Sequence, residues 1–408
     1  MSLKYSKPVK LIVDNAELAD YCAHLSKADY ICIDTEFMRE RTYWPQLCLI
    51  QISPPDEWVT AQQGADDWLN APALIDPLAP NIALDAFFDL LTNRSVLKIF
   101  HAARQDLELI WHVTGKLPAP IFDTQLVASV CGYGDQIAYG NLVQTLCDIE
   151  IDKSARLTDW MLRPLSNKAK IYALGDVLYL GKIYHILSAE MDKAGRKSWV
   201  EEELALLSSP STYENDPEMA HLRIKKRSGT AKYFHLITRL ASWRERIAQQ
   251  RNIPRQHVIR DDLLIDLASS APATQADLER LRSVSKGFGG SQLGKEILSA
   301  IDDALKMPES QWSKQERPIP LSPQERAIGE MLRLLLKLVA LEHGLAARLI
   351  TNGDMLDQFS RKNPPAELPI LKGWRYDIFG KYAQALKQGE LFLGIDQTGK
   401  IIYTEIPY

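Results

Sequence analysis

An apolar run turns acidic at residues 30–36 of this 408-residue chain, where the sequence is Tyr30-Ile31-Cys32-Ile33-Asp34-Thr35-Glu36. The aromatic and β-branched residues at 30–33 predict a buried strand. Side chains two apart on a strand share a face, so Asp34 and Glu36 should project together from its end. A second β-rich run at 47–52 predicts another strand, which could pair with the first like a hairpin.

More acidic side chains follow at the ends of predicted elements. Residues 96–100 predict a buried strand, and Asp106 begins the helical pattern at 104–111. Tyr172 and Asp176 lie four apart, one turn along the same face of a helical pattern at 168–191. Strands followed by helices in this order indicate an α/β domain that ends near residue 205.

These carboxylates could hold metal ions. A carboxylate cluster is costly to bury unless cations neutralise it. Oxygen-only ligands suit Mg²⁺ or Mn²⁺, and two such ions about 4 Å apart can activate water and stabilise a leaving oxygen. Each spacing taken alone, Asp-x-Glu or Tyr-x₃-Asp, is also common in purely structural positions.

The net charge of −4 is an average over two opposed halves. Residues 1–205 hold 19 basic and 28 acidic side chains, whereas residues 206–408 hold 29 and 24. Within 221–260 there are eleven basic residues and one acidic residue, Glu245. A basic tract of this kind is typical of phosphate binding, although a solvated helix surface would explain it equally well.

The second half is predicted to be helical. A Ser- and Pro-rich linker at 207–217 leads to helical patterns between 233 and 305, and a second linker spans 307–320. Helices are predicted again within 323–351 and 373–388, and the tail at 392–406 could close as a hairpin. Five irregularly spaced cysteines favour a reducing cytoplasm over a disulfide framework or a zinc site. No stretch predicts a signal peptide or a membrane span.

Three motifs together resemble the ribonuclease D family of DEDD 3′→5′ exonucleases. The first is residues 34–51 (DTEFMRERTYWPQLCLIQ) and the second is residues 101–108 (HAARQDLE). The third combines DKS at 152–154, DW at 159–160, RPLS at 163–166 and YALGD at 172–176. By this resemblance, tyrosine at 172 would place the chain in the tyrosine branch, and Gly175 departs from the alanine common there. The resemblance implies an RNase H-like domain with a mixed sheet flanked by helices.

The same resemblance implies the site. Asp34, Glu36, Asp106 and Asp176 would bind two divalent cations, Mg²⁺ or Mn²⁺. Tyr172 would orient the attacking water, because tyrosine side chains ordinarily titrate near pH 10 and make poor bases at neutral pH. Outside this set, Asp123 is expected to cap a helix, and His101 to be structural.

A further set of residues is expected to contact RNA: Phe37, Met38, Lys153, Arg163, Arg223, Lys225, Lys226 and Arg227. Phe37 and Met38 follow the acidic pair and could touch the terminal base or belong to the core. The others are basic side chains of the third motif or of the basic tract.

Residues 230–305 resemble the helicase-and-RNase-D C-terminal (HRDC) module, through WRE at 243–245, NIP at 252–254 and DDLLIDL at 261–267. Residues 321–408 look like a divergent second copy, which could bind RNA or pack on the first domain. We therefore predict an α/β exonuclease domain at 1–205 followed by two mainly α-helical HRDC-like domains at 211–307 and 320–408.

The implied activity is hydrolysis of phosphodiesters from RNA 3′ ends, releasing 5′-nucleotides, with transfer RNA precursors as the implied substrate. A 3′→5′ DNA exonuclease and a catalytically silent RNA-binding scaffold are the alternatives. No feature of the sequence indicates an obligate protein partner.

Overall fold

The computed structural model describes residues 9–61, 67–152, 154–155, 157–225, 229–313 and 320–405. The chain divides into two compact units. Unit 1 comprises Met1–Glu36, Leu47–Thr212 and Pro320–Tyr408, and unit 2 comprises Phe37–Gln46 and Tyr213–Ile319. The predicted boundaries at 205, 211, 307 and 320 stay a prediction.

The N-terminal half is an α/β module. Its elements are β1 (Lys10–Ile12), α1 (Asn15–Leu25), β2 (Tyr30–Met38), β3 (Gln46–Ser53), α2 (Asp56–Ala61), β4 (Ala73–Ile75), α3 (Asp85–Thr92), β5 (Leu97–Phe100), α4 (Arg104–Thr114), β6 (Ile121–Asp123), α5 (Thr124–Cys131), α6 (Tyr139–Cys147), α7 (Asn167–Gly175), α8 (Leu180–Lys193) and α9 (Lys197–Leu207). Its six strands form one sheet in the order β1-β4-β3-β2-β5-β6. The sheet is mixed, because β2, β5 and β6 run parallel while β3 is antiparallel to β4.

The centre of this sheet explains where the acidic residues lie. In β2 the first four residues are buried, as expected of a strand covered on both faces. Cys32 aligns with Ile99 of β5, and Phe100 aligns with Asp123 of β6. The strands at 30–33, 47–52 and 96–100 are confirmed, and β2 and β3 are sheet neighbours. The parallel strands thus end together, which brings their polar ends to one edge.

The predicted helical pattern at 168–191 is not one helix. It divides into α7 and α8, and Asp176 is the residue that caps the C-terminus of α7. The backbone N–H of Asp176 still donates to the carbonyl of Ala173. Tyr172 and Asp176 therefore remain one helical turn apart, as predicted, despite the break after them.

Unit 2 is built mainly from helices. They are α10 (Ala231–Arg251), α11 (Arg255–Val258), α12 (Asp261–Ser270), α13 (Gln275–Glu279) and α14 (Gln292–Lys306). One apolar core joins α10, α12 and α14, and includes Leu236, Leu264 and Ile297, each fully buried. The asparagine that ends α10, Asn252, adopts the left-handed conformation usual for a helix C-terminus.

Unit 2 also contains the segment that follows the acidic residues of β2. Tyr43 donates a hydrogen bond of 2.5 Å to Glu245, and Arg255 donates one of 2.9 Å to the Tyr43 hydroxyl. The Trp44 amide donates to the side chain of Asn252 at 3.0 Å. The sequence assigned residues 37–46 to the exonuclease motif alone, and their contacts within the helical unit could not be predicted from it.

The C-terminal module packs with the α/β module inside unit 1. Its elements are α15 (Pro323–His343), α16 (Ala347–Ile350), α17 (Gly353–Ser360), α18 (Gly373–Arg375), a π-helical turn (Tyr376–Gly380), α19 (Lys381–Gln388), β7 (Leu391–Ile395) and β8 (Ile401–Glu405). Trp374 stacks on Trp199 with ring centroids 4.9 Å apart, and Arg375 pairs with Glu203 at 2.6 Å. The sequence left two roles open for this module, RNA binding and packing on the first domain. These contacts show the packing.

The C-terminal module can be compared with two predictions, the helices within 323–351 and the hairpin at 392–406. Helix α15 ends at His343, because Gly344 turns into the left-handed conformation (φ 64°) and α16 begins only at Ala347. The predicted terminal hairpin is confirmed as β7 and β8. Across the described residues, no helix combines the length and hydropathy needed to cross a membrane.

Candidate active site

The first two acidic residues of the site are held by β2. Asp34 and Glu36 are half-buried, while the intervening Thr35 is buried on the opposite side of the strand. This alternation is the ordinary two-residue period of a β-strand. The prediction that both carboxylates project from one face is thereby confirmed.

Helix α7 brings a third carboxylate to the same place. Ser166 caps the helix by accepting a hydrogen bond from the Ala169 amide at 3.1 Å. At its other end lies Asp176. Carboxylate oxygens of Asp34, Glu36 and Asp176 all lie within 4.8 Å of one another. Residues separated by about 140 positions in the sequence thus form one acidic cluster.

Asp106 lies in the first turn of α4 and is 6% exposed. It falls outside the mutual 4.8 Å spacing of the other three. The hydroxyl of Thr35 donates a short hydrogen bond to its carboxylate. Its charge nevertheless raises the pKa of both Asp34 and Glu36, which shows that it borders the cluster. Sequence reasoning missed the role of Thr35, whose only signal was a hydroxyl between two acidic residues.

The acidic side chains of the site hold their protons unusually tightly. Burial raises the pKa of Asp34 well above its usual range, and three neighbouring carboxylates raise it further. Burial and the charges of Asp176 and Asp106 raise the pKa of Glu36 to about 8. Burial raises the pKa of Asp176 to about 7. It also raises the pKa of Asp106 to about 7, against the lowering effect of the Thr35 hydrogen bond.

This donor set fits a divalent cation. Four carboxylates share a site in which the charges of the neighbours destabilise the ionised forms of Asp34 and Glu36. A bound cation would reverse that repulsion, and oxygen ligands without histidine or cysteine are the ligands of Mg²⁺ or Mn²⁺. The residues present therefore suit the metal that the motifs implied.

Tyr172 lies on α7, one turn before Asp176. Its ring centroid is 6.3 Å from that of Trp160. It lines a cavity of about 310 Å³, together with Ile151, Lys168, Ile171 and others. Lys168 was not among the residues singled out in the sequence, because a lone lysine in a helix carries no motif. Helix α7 lines this cavity with Tyr172 and Gly175, and it ends at Asp176 of the acidic cluster.

Arg163 requires a correction. Its guanidinium donates to both carboxylate oxygens of Asp76, at 2.6 and 2.7 Å. The guanidinium donates its remaining hydrogen bonds to three backbone carbonyls, those of Cys48, Trp160 and Leu162. Because every guanidinium nitrogen is already engaged inside the protein, Arg163 ties the third motif to the sheet and is not available as a phosphate ligand.

The remaining predicted RNA contacts differ in what the structure describes. Phe37 and Met38 complete β2 as half-buried residues. Arg223 is paired with Glu245 at 3.2 Å and with Asn215 at 2.9 Å, whereas Lys225 is exposed. Three of the predicted residues lie outside the described part of the chain: Lys153, Lys226 and Arg227.

Comparisons with known proteins agree with this geometry. The sequence profile of a 3′-5′ exonuclease family matches residues 9–192, and that of the HRDC domain matches residues 234–301. The ribonuclease D of Zymomonas mobilis is 43% identical over 97% of this chain and 98% of its own length. The ribonuclease D of Bartonella henselae is 39% identical over 95% of this chain and 92% of its own length.

A solved structure extends the likeness to the whole fold. The crystal structure of Escherichia coli RNase D, described as an exoribonuclease involved in structured RNA processing, has a TM-score of 0.79. It is 27% identical and the match covers 94% of this chain and 99% of that one. The relatives align with nearly the whole of this chain, including the residues matched by the exonuclease and HRDC profiles. The chain belongs to the ribonuclease D family, and it is a 3′-5′ exoribonuclease.

Proposed function

We propose that the chain removes nucleotides from RNA 3′ ends by hydrolysis at the cluster of Asp34, Glu36, Asp106 and Asp176. The observation that carries this proposal is the 4.8 Å spacing of three carboxylates on two different elements. Two divalent cations, Mg²⁺ or Mn²⁺, would supply water activation and neutralisation of the leaving oxygen. The carboxylates fix where that positive charge can lie, and β2 and α7 bring them to one place.

Tyr172 is proposed to hold the attacking water in line with the phosphodiester. Support comes from its place on α7 one turn before Asp176, where it lines a cavity. The same spacing supports membership of the tyrosine branch. In this arrangement the phenol orients the nucleophile, and the carboxylate cluster provides the charge.

Replacing Tyr172 by phenylalanine should lower kcat by about 10²-fold, the usual cost of misplacing a reacting group. The KM for RNA should change little, since the phenol contributes orientation more than substrate affinity. Single-turnover rates on a 3′-labelled oligoribonucleotide measure the effect. Tyr179→Phe, which removes a phenol just beyond Asp176, is the matched control. A Tyr172→Phe enzyme as fast as wild type would remove Tyr172 from the mechanism.

Transfer RNA precursors are the proposed natural substrate. Support comes from the family and from the basic helical unit that follows the catalytic module. The test compares a tRNA carrying a 3′ extension with an unstructured RNA tail of the same sequence and with the matching DNA. We expect the tail to be trimmed from the tRNA at least as fast as the free RNA. Faster degradation of the free tail would make generic RNA turnover the better assignment.

We also propose that the C-terminal module is a second, divergent HRDC-like domain. The matched HRDC domain and this module begin with the same series of helices. Each has a 21-residue helix (α10 or α15) capped by a left-handed residue, then a four-residue helix, then a third helix of ten or eight residues. A shared order of elements supports a common origin.

The basic tract is proposed to bind RNA phosphates. Reversing the charge of Lys225, Lys226 and Arg227 should flatten the salt dependence of RNA binding. Every phosphate that is no longer neutralised by a basic side chain reduces the magnitude of the negative slope of log K against log salt by about 0.7 for single strands. Affinity measured at several salt concentrations in an inactive Asp34→Asn background tests this.

The matched control for the basic tract reverses three exposed lysines of the α/β module: Lys27, Lys193 and Lys197. Because all of these changes shift net charge equally, a general electrostatic effect would appear in both variants. If the two triple variants gave equal slopes of log K against log salt, the basic tract would be a solvated surface that does not bind RNA phosphates.

A further inference from the structure

Asp123 ends β6 and is 4% exposed, yet it accepts more hydrogen bonds than a helix cap requires. Two of its donors are the expected ones, the amides of Gln125 (2.8 Å) and Leu126 (3.2 Å) at the start of α5. The sequence-based prediction of a capping role is thereby confirmed. Two more donors, the amides of Ala102 (3.0 Å) and Ala103 (2.9 Å), do not belong to α5.

These extra donors come from the turn between β5 and α4. Ala102 has a φ of 60°, a left-handed conformation that side-chain-bearing residues rarely adopt. Ala103 precedes α4 and gives that helix no side-chain cap. The turn is therefore unfavourable by itself, and the Asp123 carboxylate supplies acceptors for its two successive amides.

Neighbouring contacts hold the same turn. The Thr124 hydroxyl donates to the carbonyl of Phe100 at 3.0 Å, and it also lies 2.9 Å from Nδ1 of His101. The residues at the end of β6 thus fasten the backbone from 100 to 103. Helix α4 starts at residue 104, and Asp106 is in its first turn.

We propose that Asp123 is a positioning residue of the exonuclease: by binding the amides of Ala102 and Ala103 it fixes the start of α4, and so places the Asp106 carboxylate. This inference rests on the proposed role of Asp106 as a cation ligand. Asp123 itself reaches neither cation nor substrate in this scheme, since its oxygens are occupied by backbone amides.

The variant Asp123→Asn separates the capping of α5 from the binding of the amides of Ala102 and Ala103. Asparagine is as good a helix cap as aspartate, and its one oxygen can keep the three bonds that Oδ1 now accepts. Its amide nitrogen would then face the N–H of Ala103, donor against donor. Asp123→Ser is a second variant, because serine also caps helices but has a single, shorter oxygen.

The test measures Mn²⁺ binding by titration calorimetry without RNA, and kcat and KM across Mg²⁺ concentrations. For both Asp123 variants we expect cation affinity to fall by about 10- to 100-fold, the usual effect of disturbing groups that orient a ligand. The Mg²⁺ needed for half-maximal rate should rise in parallel, with the KM for RNA at saturating Mg²⁺ unchanged. Near-ultraviolet circular dichroism monitors the fold.

Asp14→Asn is the matched control. Asp14 caps α1 through the amides of Ala16 and Glu17, and α1 carries none of the proposed cation ligands. It should keep the wild-type cation affinity. Folded Asp123 variants with wild-type cation affinity, or with lower kcat at an unchanged Mg²⁺ requirement, would overturn the inference. If Asp106→Asn also bound Mn²⁺ normally, the proposed ligand set would be wrong as well, which separates the two failures.

Discussion

Asp34→Asn is expected to abolish RNA hydrolysis while leaving the protein folded. Asp34 contributes a carboxylate to the acidic cluster and lies next to every other proposed ligand. Stabilisation of charge by a bound ion amounts to several kcal/mol, and each 1.36 kcal/mol changes a rate tenfold. We therefore expect kcat to fall by about 10³-fold or more. Single-turnover cleavage of a 3′-labelled RNA measures it.

The same substitution should have the opposite effect on stability in EDTA. At neutral pH without a cation, the cluster opposes folding because burial and mutual repulsion raise the pKa of its members. Removing one acidic group should leave the thermal midpoint unchanged or raise it. Asp20→Asn, at an exposed aspartate on α1, is the control for both measurements. Wild-type cleavage by Asp34→Asn would refute the assigned site.

The second large effect is expected at Glu245, the one acidic residue in the basic tract. Glu245 is 1% exposed and accepts hydrogen bonds from Arg255 at 2.6 Å and from Tyr43 at 2.5 Å. Glu245 is buried, but Arg255, the charge that its removal leaves uncompensated, is 35% exposed. The cost should therefore lie between that of an exposed pair and that of a fully buried one, on the order of 2 kcal/mol. Glu245→Gln should therefore lower the free energy of unfolding by about that amount, measured by denaturation in urea.

A surface glutamate in the same unit provides the contrast. Glu218 also pairs with two arginines, Arg239 and Arg246, but its side chain is 46% exposed. Exposed ion pairs contribute about 0–1 kcal/mol, so Glu218→Gln should cost little. A loss at Glu245→Gln no larger than at Glu218→Gln would contradict the account of a buried carboxylate held by its partners.

The Glu245 site also predicts how stability depends on pH. Burial alone would raise the pKa of Glu245, but hydrogen bonds from Arg255 and Tyr43 and the charges of Arg255 and Arg223 hold it below its ordinary value. A carboxyl whose pKa is lowered by folding stabilises the protein above the unfolded pKa. This contribution is thus complete above about pH 4.5 and is lost as pH falls through the lowered value. Glu245→Gln should lose that part of the acid dependence.

The acidic site could be predicted from sequence because each of its parts obeys a local period. Asp34 and Glu36 share a face by strand alternation, and Tyr172 and Asp176 by helix spacing. The break after α7 was not predicted, because Gly175, the one helix-weakening residue beside it, is followed by Asp176-Val177-Leu178-Tyr179, which continues the apolar pattern.

Other features depend on partners far away in the chain. Arg163 was expected to contact RNA as a basic side chain of the third motif. Its carboxylate partner, Asp76, lies 87 positions earlier, so the sequence near residue 163 could not reveal it. Tyr43 meets Glu245 across 202 positions, so nothing near residue 43 could reveal it. The three-residue strands β1, β4 and β6 are too short to show alternation, and pairing within the sheet defines them.

The central claim is tested most directly by one RNA oligonucleotide, labelled at either its 3′ or its 5′ end, with and without EDTA. The account predicts that the 3′ label is released as a 5′-mononucleotide at the earliest time, while the 5′-labelled strand shortens stepwise. EDTA should stop the reaction, and excess Mg²⁺ or Mn²⁺ should restore it. Internal fragments, cleavage that persists in EDTA, or faster degradation of the matching DNA would contradict it.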